Sequence, residues 1–199
     1  PLVEGRWRVI PALVVGNVVV VKPTERTPLS IVRLAKLAVE AGVPAGLFNI
    51  VQGTGPITGE ALARHPVCGK LTFTGSTRTG IQIMKAAAES GPKPVTLELG
   101  GKSPQIVFDD VRNIDAVADR IVRAFTGNAG QVCVSGSRLL VQKAGHDVLI
   151  EKIVARARGI AAGPLENAET RYSPIVFGGQ ATSLEDAVRQ SVGEGASVA

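Results

Sequence analysis

The feature that most limits the fold is an alternation of short apolar runs with helical faces through the first hundred residues. Val18-Val-Val-Val21 lies between Gly16-Asn17 and Lys22-Pro23. A continuous β-branched run bounded by turn residues reads as a strand buried on both faces of a parallel sheet. Thr27 as N-cap and Pro28 as first helical residue then open a helix. Its apolar face is Ile31, Leu34, Ala35, Leu37 and Ala38, and Gly42 ends it at the position after the cap. Phe48-Asn-Ile-Val51 is the next strand, which makes residues 18–51 a βαβ unit with a right-handed crossover expected.

The pattern continues. A tight turn leads into a helix from about Ile57 to Arg64, Leu71-Thr-Phe-Thr74 is a strand, and Gly75-Ser76-Thr-Arg-Thr-Gly80 opens another helix. Ile81, Met84, Lys85 and Ala88 carry that helix on, with Met84 as core filler. Val95-Thr-Leu-Glu98 is a fourth strand. Arg6-Trp7 through Leu13 reads as a helix ahead of them all. Three βα steps imply an α/β fold, a Rossmann-like parallel-sheet half-domain over residues 1–99. Residues 100–199 read as the start of a second α/β domain. Gln105–Phe108 and Arg138–Val141 are its strands, and its helices run from Ile114 to Phe125, from His146 to about Ala161, and from Ser183 to Gly193.

Composition excludes several classes of function. The chain is 45% hydrophobic and 20% charged, an ordinary soluble mixture, and with 4% aromatics its core must be aliphatic. The net charge of +5 is spread without runs, which argues against a nucleic-acid partner. No apolar stretch approaches the roughly 18 residues of a membrane span. Two cysteines, Cys68 and Cys133, make neither a disulfide framework nor a zinc pattern, and a reduced, cytoplasmic setting is expected.

Chemistry-bearing residues fall in four places. Thr126-Gly-Asn-Ala-Gly-Gln-Val-Cys133-Val-Ser-Gly136 sets a cysteine among small residues, where a thiolate is reachable by a substrate. Read alone, such a cysteine is more often a buried structural thiol. Glu98 stands at the end of an apolar strand that breaks into Gly100-Gly101, a carboxylate placed to act as a base. Lys22-Pro-Thr-Glu25 lies past the carboxyl end of a strand, where open α/β sheets bind ligands; position alone leaves Lys22 open between ligand contact and surface lysine. Gly75 and Ser76 sit where strand turns into helix, and free N–H groups there suit a phosphate, although helix capping by Ser76 or Thr77 alone also accounts for the motif. Gly53-Thr-Gly55-Pro-Ile-Thr-Gly59 lacks the spacing of a dinucleotide fingerprint and reads as a turn. His65, at a helix end where an imidazole can meet free carbonyls, is structural, as are His146 and Cys68.

Two of these stretches resemble the motifs of the aldehyde dehydrogenase family. Glu98-Leu-Gly-Gly-Lys102 is similar to its general-base motif, and Gly130-Gln-Val-Cys133 to its nucleophile motif, in the same order and at nearly the same spacing. The resemblance runs from Pro1 to about Ala199 and implies an NAD(P)-dependent oxidation of an aldehyde to a carboxylic acid. Cys133 is then the nucleophile and Glu98 the base. Lys22 and Glu25 would hold the adenosine ribose, Gly75, Ser76 and Gly80 the diphosphate loop, and Leu99 would line the cofactor site. Glu25 favours NAD, with NADP as the alternative, because a carboxylate accepts from ribose hydroxyls and repels a ribose phosphate. Thr79 departs from the valine common in the family and is expected to alter loop packing. The resemblance makes residues 1–99 part of a cofactor-binding domain and 100–199 part of a catalytic domain, in a cytoplasmic homo-oligomer. Family members are longer, so the chain reads as an internal fragment, inactive alone. A CoA-acylating relative, which often lacks the base, and a non-catalytic protein keeping the fold are the competing readings, and Glu98 with Cys133 argues against both.

Overall fold

A computed structural model describes residues 2–199. The chain forms two compact units, one ending at Leu99 and the other beginning at Gly100. Both are built from helices and parallel strand pairs, as the α/β reading requires.

The first unit runs α1 (Leu2–Val14), β1 (Val19–Val21), α2 (Leu29–Glu40), β2 (Phe48–Ile50), α3 (Glu60–Arg64), β3 (Leu71–Gly75), α4 (Thr77–Glu89) and β4 (Val95–Leu99). The strands bond in pairs rather than as one continuous sheet. β1 pairs with β2, Val19 opposite Phe48, and β3 pairs with β4, Leu71 opposite Val95. Val9 of α1, Ile31 of α2 and Phe48 are buried together, with Leu13, Val19, Val21, Leu34 and Ile50 against them. Only one face of β1 is therefore covered. Val18 and Val20 remain 62% and 47% exposed, which corrects the expectation of a strand buried on both faces.

Local chemistry sets the ends of the elements. Pro28, not Thr27, occupies the cap of α2, and its carbonyl takes a bond from the Val32 N–H at 3.2 Å. At the other end Gly42 adopts a φ of 93°, and the Val43 and Gly42 N–H groups donate to Ala38 and Val39 carbonyls, closing a Schellman motif. The turn before α3 is already helical: a π-type turn over Gly55–Gly59 starts ahead of the expected Ile57. The helix-end carbonyls of Ala63 and His65 accept from Lys93 Nζ, while the His65 ring accepts from the Val67 N–H. The lysine, not the imidazole, caps that end. On α4 the packed side is Gly80, Ile83 and Ala87, with Ala86. Met84 is 53% exposed and Ile81 49%, so Met84 is not core filler and the expected face is displaced by one residue.

The second unit contains β5 (Pro104–Val107), α5 (Ile114–Thr126), β6 (Arg138–Val141), α6 (His146–Arg158) and α7 (Gly178–Gly193). β5 and β6 pair in parallel, Pro104 opposite Arg138. Its core is Val107, Ala118, Ile121, Val122, Leu149 and Ile153, with Phe125, Leu139 and Val141 around it. Asn113 caps α5 by accepting from the Ala116 N–H at 3.0 Å. Across the surface of α5 and α6, Asp115 pairs with Lys152 and Arg156, and Asp119 with Arg156. Hydrogen bonds from Lys152, then from Arg156, hold the Asp115 carboxyl below its usual range. α7 begins five residues ahead of the expected Ser183, at Gly178. Among the described residues, no helix is long and apolar enough to cross a membrane and no cluster of acidic, histidine or cysteine residues could hold a metal.

Candidate active site

Cys133 sits in a tight turn just after α5. The Ser135 N–H donates to the Val132 carbonyl at 3.1 Å, so Cys133 takes the second position of the turn, and its side chain is exposed. Buried Ser135 ties the turn back to α5: its hydroxyl and the Gly136 N–H both donate to the Ala124 carbonyl at 3.3 Å. Gln105 of β5 lies across Gly136 and donates to its carbonyl at 2.6 Å. A Cβ at Gly136 would come 2.6 Å from the Gln105 side chain, which would have to swing away and give up this hydrogen bond. The second glycine of the Glu98-Leu-Gly-Gly motif also reaches this turn. A Cβ on Gly101 would lie 3.8 Å from the Cys133 carbonyl oxygen.

The approach to the cysteine is left-handed. Asn128, Ala129 and Gly130 have φ of 52°, 55° and 69° in succession. Asparagine and glycine tolerate this region, whereas alanine pays about 1–2 kcal/mol for it. The Gln131 N–H donates to the Asn128 carbonyl, and the Tyr172 hydroxyl donates to the Ala129 carbonyl at 3.0 Å. Sequence reasoning identified the glycines here but not Tyr172, whose distance along the chain hides it.

In the first unit, β3 and β4 bring several expected residues together. The register sets Thr74 opposite Glu98 and Gly75 opposite Leu99. Glu98 is exposed, while its neighbours Leu97 and Leu99 turn the other way and are half-buried. Ser76 caps α4, its Oγ accepting from the Thr79 N–H at 3.2 Å, and the Thr79 hydroxyl meets it at 2.9 Å. The threonine thus joins the cap. Gly80 lies against β4, where a Cβ would fall 2.9 Å from Leu99 Cδ2 and 3.4 Å from Leu97 Cδ1. Leu99 therefore packs under the helix that opens at Ser76. Gly80→Val is expected to force α4 off β4 and lower the stability of the full-length protein by about 1–3 kcal/mol. A fall in thermal midpoint checks this, and an unchanged midpoint would show that the helix yields freely.

Lys22 and Glu25 also meet. Lys22 Nζ donates to the Pro23 and Gly53 carbonyls at 2.7 and 3.0 Å and lies 3.5 Å from Glu25 Oε2. Its stem passes Gly59, where a Cβ would sit 3.8 Å from Lys22 Cδ. A backbone hydrogen bond, with the Lys22 ammonium adding to it, outweighs desolvation and keeps the exposed Glu25 carboxyl below its usual value. Cys133 stands in the second unit, whereas Glu98, Lys22, Glu25, Gly75, Ser76, Gly80 and Leu99 all stand in the first.

Comparison with known proteins shows the family to which the chain belongs. The structure superposes on betaine aldehyde dehydrogenase from Staphylococcus aureus in complex with NAD+, with a TM-score of 0.96 and 35% identity over 100% of this chain and 39% of that one. Against an indole-3-acetaldehyde dehydrogenase complexed with NAD+ the TM-score is 0.97 and the identity 40%, over 100% of this chain and 40% of the other. A gamma-glutamyl-gamma-aminobutyraldehyde dehydrogenase from Burkholderia cenocepacia gives 0.94 and 42%, over 97% and 39%. The chain thus spans about two fifths of the length of these structures. The model of the aldehyde dehydrogenase family matches residues 1–199, and the chain belongs to that family.

Proposed function

We propose that the protein carrying this chain oxidises an aldehyde to a carboxylic acid with NAD, through covalent intermediates on Cys133. The observation that carries the reading is the exposed Cys133 in a turn held by glycines, in a chain of this family. Residues 1–99 supply part of the cofactor-binding domain and residues 100–199 part of the catalytic domain.

The residues present fit a dinucleotide. α4 offers the N–H groups of its first turn beyond Gly75 and Ser76, suited to a diphosphate. Glu25 is an exposed, ionised acceptor for ribose hydroxyls, steadied by Lys22. Gly80 on Leu99 sets how closely that helix lies on the base's strand. A bound NAD supplies the acceptor for a hydride.

The chain's own residues account for the remaining steps. The Cys133 thiolate adds to the aldehyde carbon, the carbonyl oxygen becomes an oxyanion, and the Cys133 backbone N–H is a donor placed to stabilise it. Loss of hydride from the thiohemiacetal carbon, as NAD is reduced to NADH, leaves a thioester. Glu98 takes a proton from water as the water attacks that thioester, and the carboxylic acid leaves with the thiolate restored. A reducing, cytoplasmic compartment keeps such a thiolate available, and the family resemblance suggests a homo-oligomer.

The test is to supply the full-length protein with an aldehyde and NAD in the absence of CoA. NADH and carboxylate should form in equal amounts. NADH that appears only with CoA would sink the hydrolytic reading in favour of acyl transfer. Cofactor choice has its own test. Glu25→Ala should weaken NAD by about 1–3 kcal/mol, the cost of a lost charged hydrogen bond, and NADP by less. Calorimetric titration of both cofactors checks this; equal losses would make Glu25 structural.

A further inference from the structure

We propose that Tyr172 is a positioning residue for the nucleophile, holding the left-handed turn from which Cys133 is presented; this rests on the nucleophile reading above. The turn Asn128–Gly130 includes one residue, Ala129, that prefers another conformation, and such a residue persists only where its surroundings over-determine it. The Tyr172 hydroxyl donates to the carbonyl of that very residue at 3.0 Å. A Cβ at Gly130 would lie 3.7 Å from the same hydroxyl and 3.1 Å from the Phe125 carbonyl, so the turn is clasped closely on this side. A second tie runs parallel to the first: the Val176 N–H donates to Gln131 Oε1 at 3.1 Å.

Tyr172 is itself anchored. Its N–H donates to the Ala161 carbonyl at 3.0 Å, and its carbonyl accepts from the Gly163 N–H at 3.3 Å. The intervening loop is closed by the Thr170 hydroxyl and the Asn167 N–H, both donating to the Pro164 carbonyl. Residues 161–163 follow α6, which packs on α5, and α5 leads directly into the turn. The contacts therefore form a closed circuit through α5, the turn, β6 and α6, and Tyr172 completes it. A nucleophile that must meet a carbonyl carbon within a few tenths of an ångström gains rate from such a support.

The experiment uses the full-length protein and three variants. Tyr172→Phe keeps the ring and removes only the hydroxyl. It should slow the pre-steady-state burst of NADH about three- to tenfold, the effect of one such hydrogen bond. Alkylation of Cys68 by iodoacetamide should stay at the parent rate. Adding Ala129→Gly removes the cost that the tyrosine offsets, so the double variant should recover most of the lost burst rate. A burst rate in Tyr172→Phe within twofold of the parent overturns the proposal, as does a loss that Ala129→Gly does not recover. Cys133→Ala separates the two readings. If it still forms NADH, the nucleophile assignment falls and the positioning role with it. If it is inactive while Tyr172→Phe matches the parent, the positioning role alone falls.

Discussion

Cys133→Ala is expected to abolish aldehyde-dependent NADH formation in the full-length protein, by about a thousandfold or more, while NAD still binds. The size follows from the role. Hydride departs readily only from a tetrahedral carbon bearing an oxyanion, and without the thiolate the aldehyde carbon stays trigonal. Removal of an activated nucleophile leaves only the rate supplied by binding and oxyanion stabilisation. Binding should survive because Lys22, Glu25, Gly75, Ser76 and Gly80 all stand in the first unit, and the buried contacts near the turn are made by Ser135 and Gly136 rather than by the exposed thiol. Stopped-flow absorbance at the NADH band, beside a titration with NAD, reads both quantities. A variant that keeps even a tenth of the parent rate would require a different nucleophile.

Glu98→Gln is expected to separate the two halves of the reaction. In the proposed mechanism acyl-enzyme formation uses Cys133 and the hydride acceptor, so one equivalent of NADH should still appear in a burst. Hydrolysis then lacks its base, and the steady state should slow by about a hundred- to ten-thousandfold. The glutamine is nearly isosteric, and Glu98 is exposed on the open side of β4, so the strand should keep its place. Rapid-mix NADH traces and trapping of the acyl-enzyme check the outcome. Loss of the burst together with turnover would mean that Glu98 acts earlier, in activating the thiol.

Much of this architecture is legible in the residues. Turn-bounded runs such as Val18–Val21 and Arg138–Val141 announce strands because parallel strands favour β-branched and aliphatic residues. Gly42 marks a helix end because few other residues take its backbone angle. The errors have physical sources as well. Counting large apolar residues on α4 points to Ile81 and Met84, but the helix packs through Gly80, where the absence of a side chain is what permits contact with Leu99. Apolar content alone does not say how many faces of β1 are covered. The candidate site divides in the same way. Its glycines and acids are visible in the motifs, whereas the left-handed Ala129 has no signal of its own, since alanine seldom adopts that conformation. Tyr172 reaches the turn only through the fold of the second unit.

The ladder between β3 and β4 also bears on how this protein can change in length. Glu98 stands opposite Thr74, with Leu97 and Leu99 facing the other way toward α4. Side chains alternate along a strand, so a slip of one rung exchanges the two faces. Insertion or deletion of a single residue within 95–99 would present a leucine where the carboxylate stands and drive the acid beneath the helix. The connections at 65–70 and 90–94 carry no such parity, and residues gained or lost there leave Glu98 on its own side. Variation in length in those two connections therefore spares the face of Glu98, whereas a few residues away it does not, and the boundary between the two regimes is the first rung of the ladder, Leu71 opposite Val95.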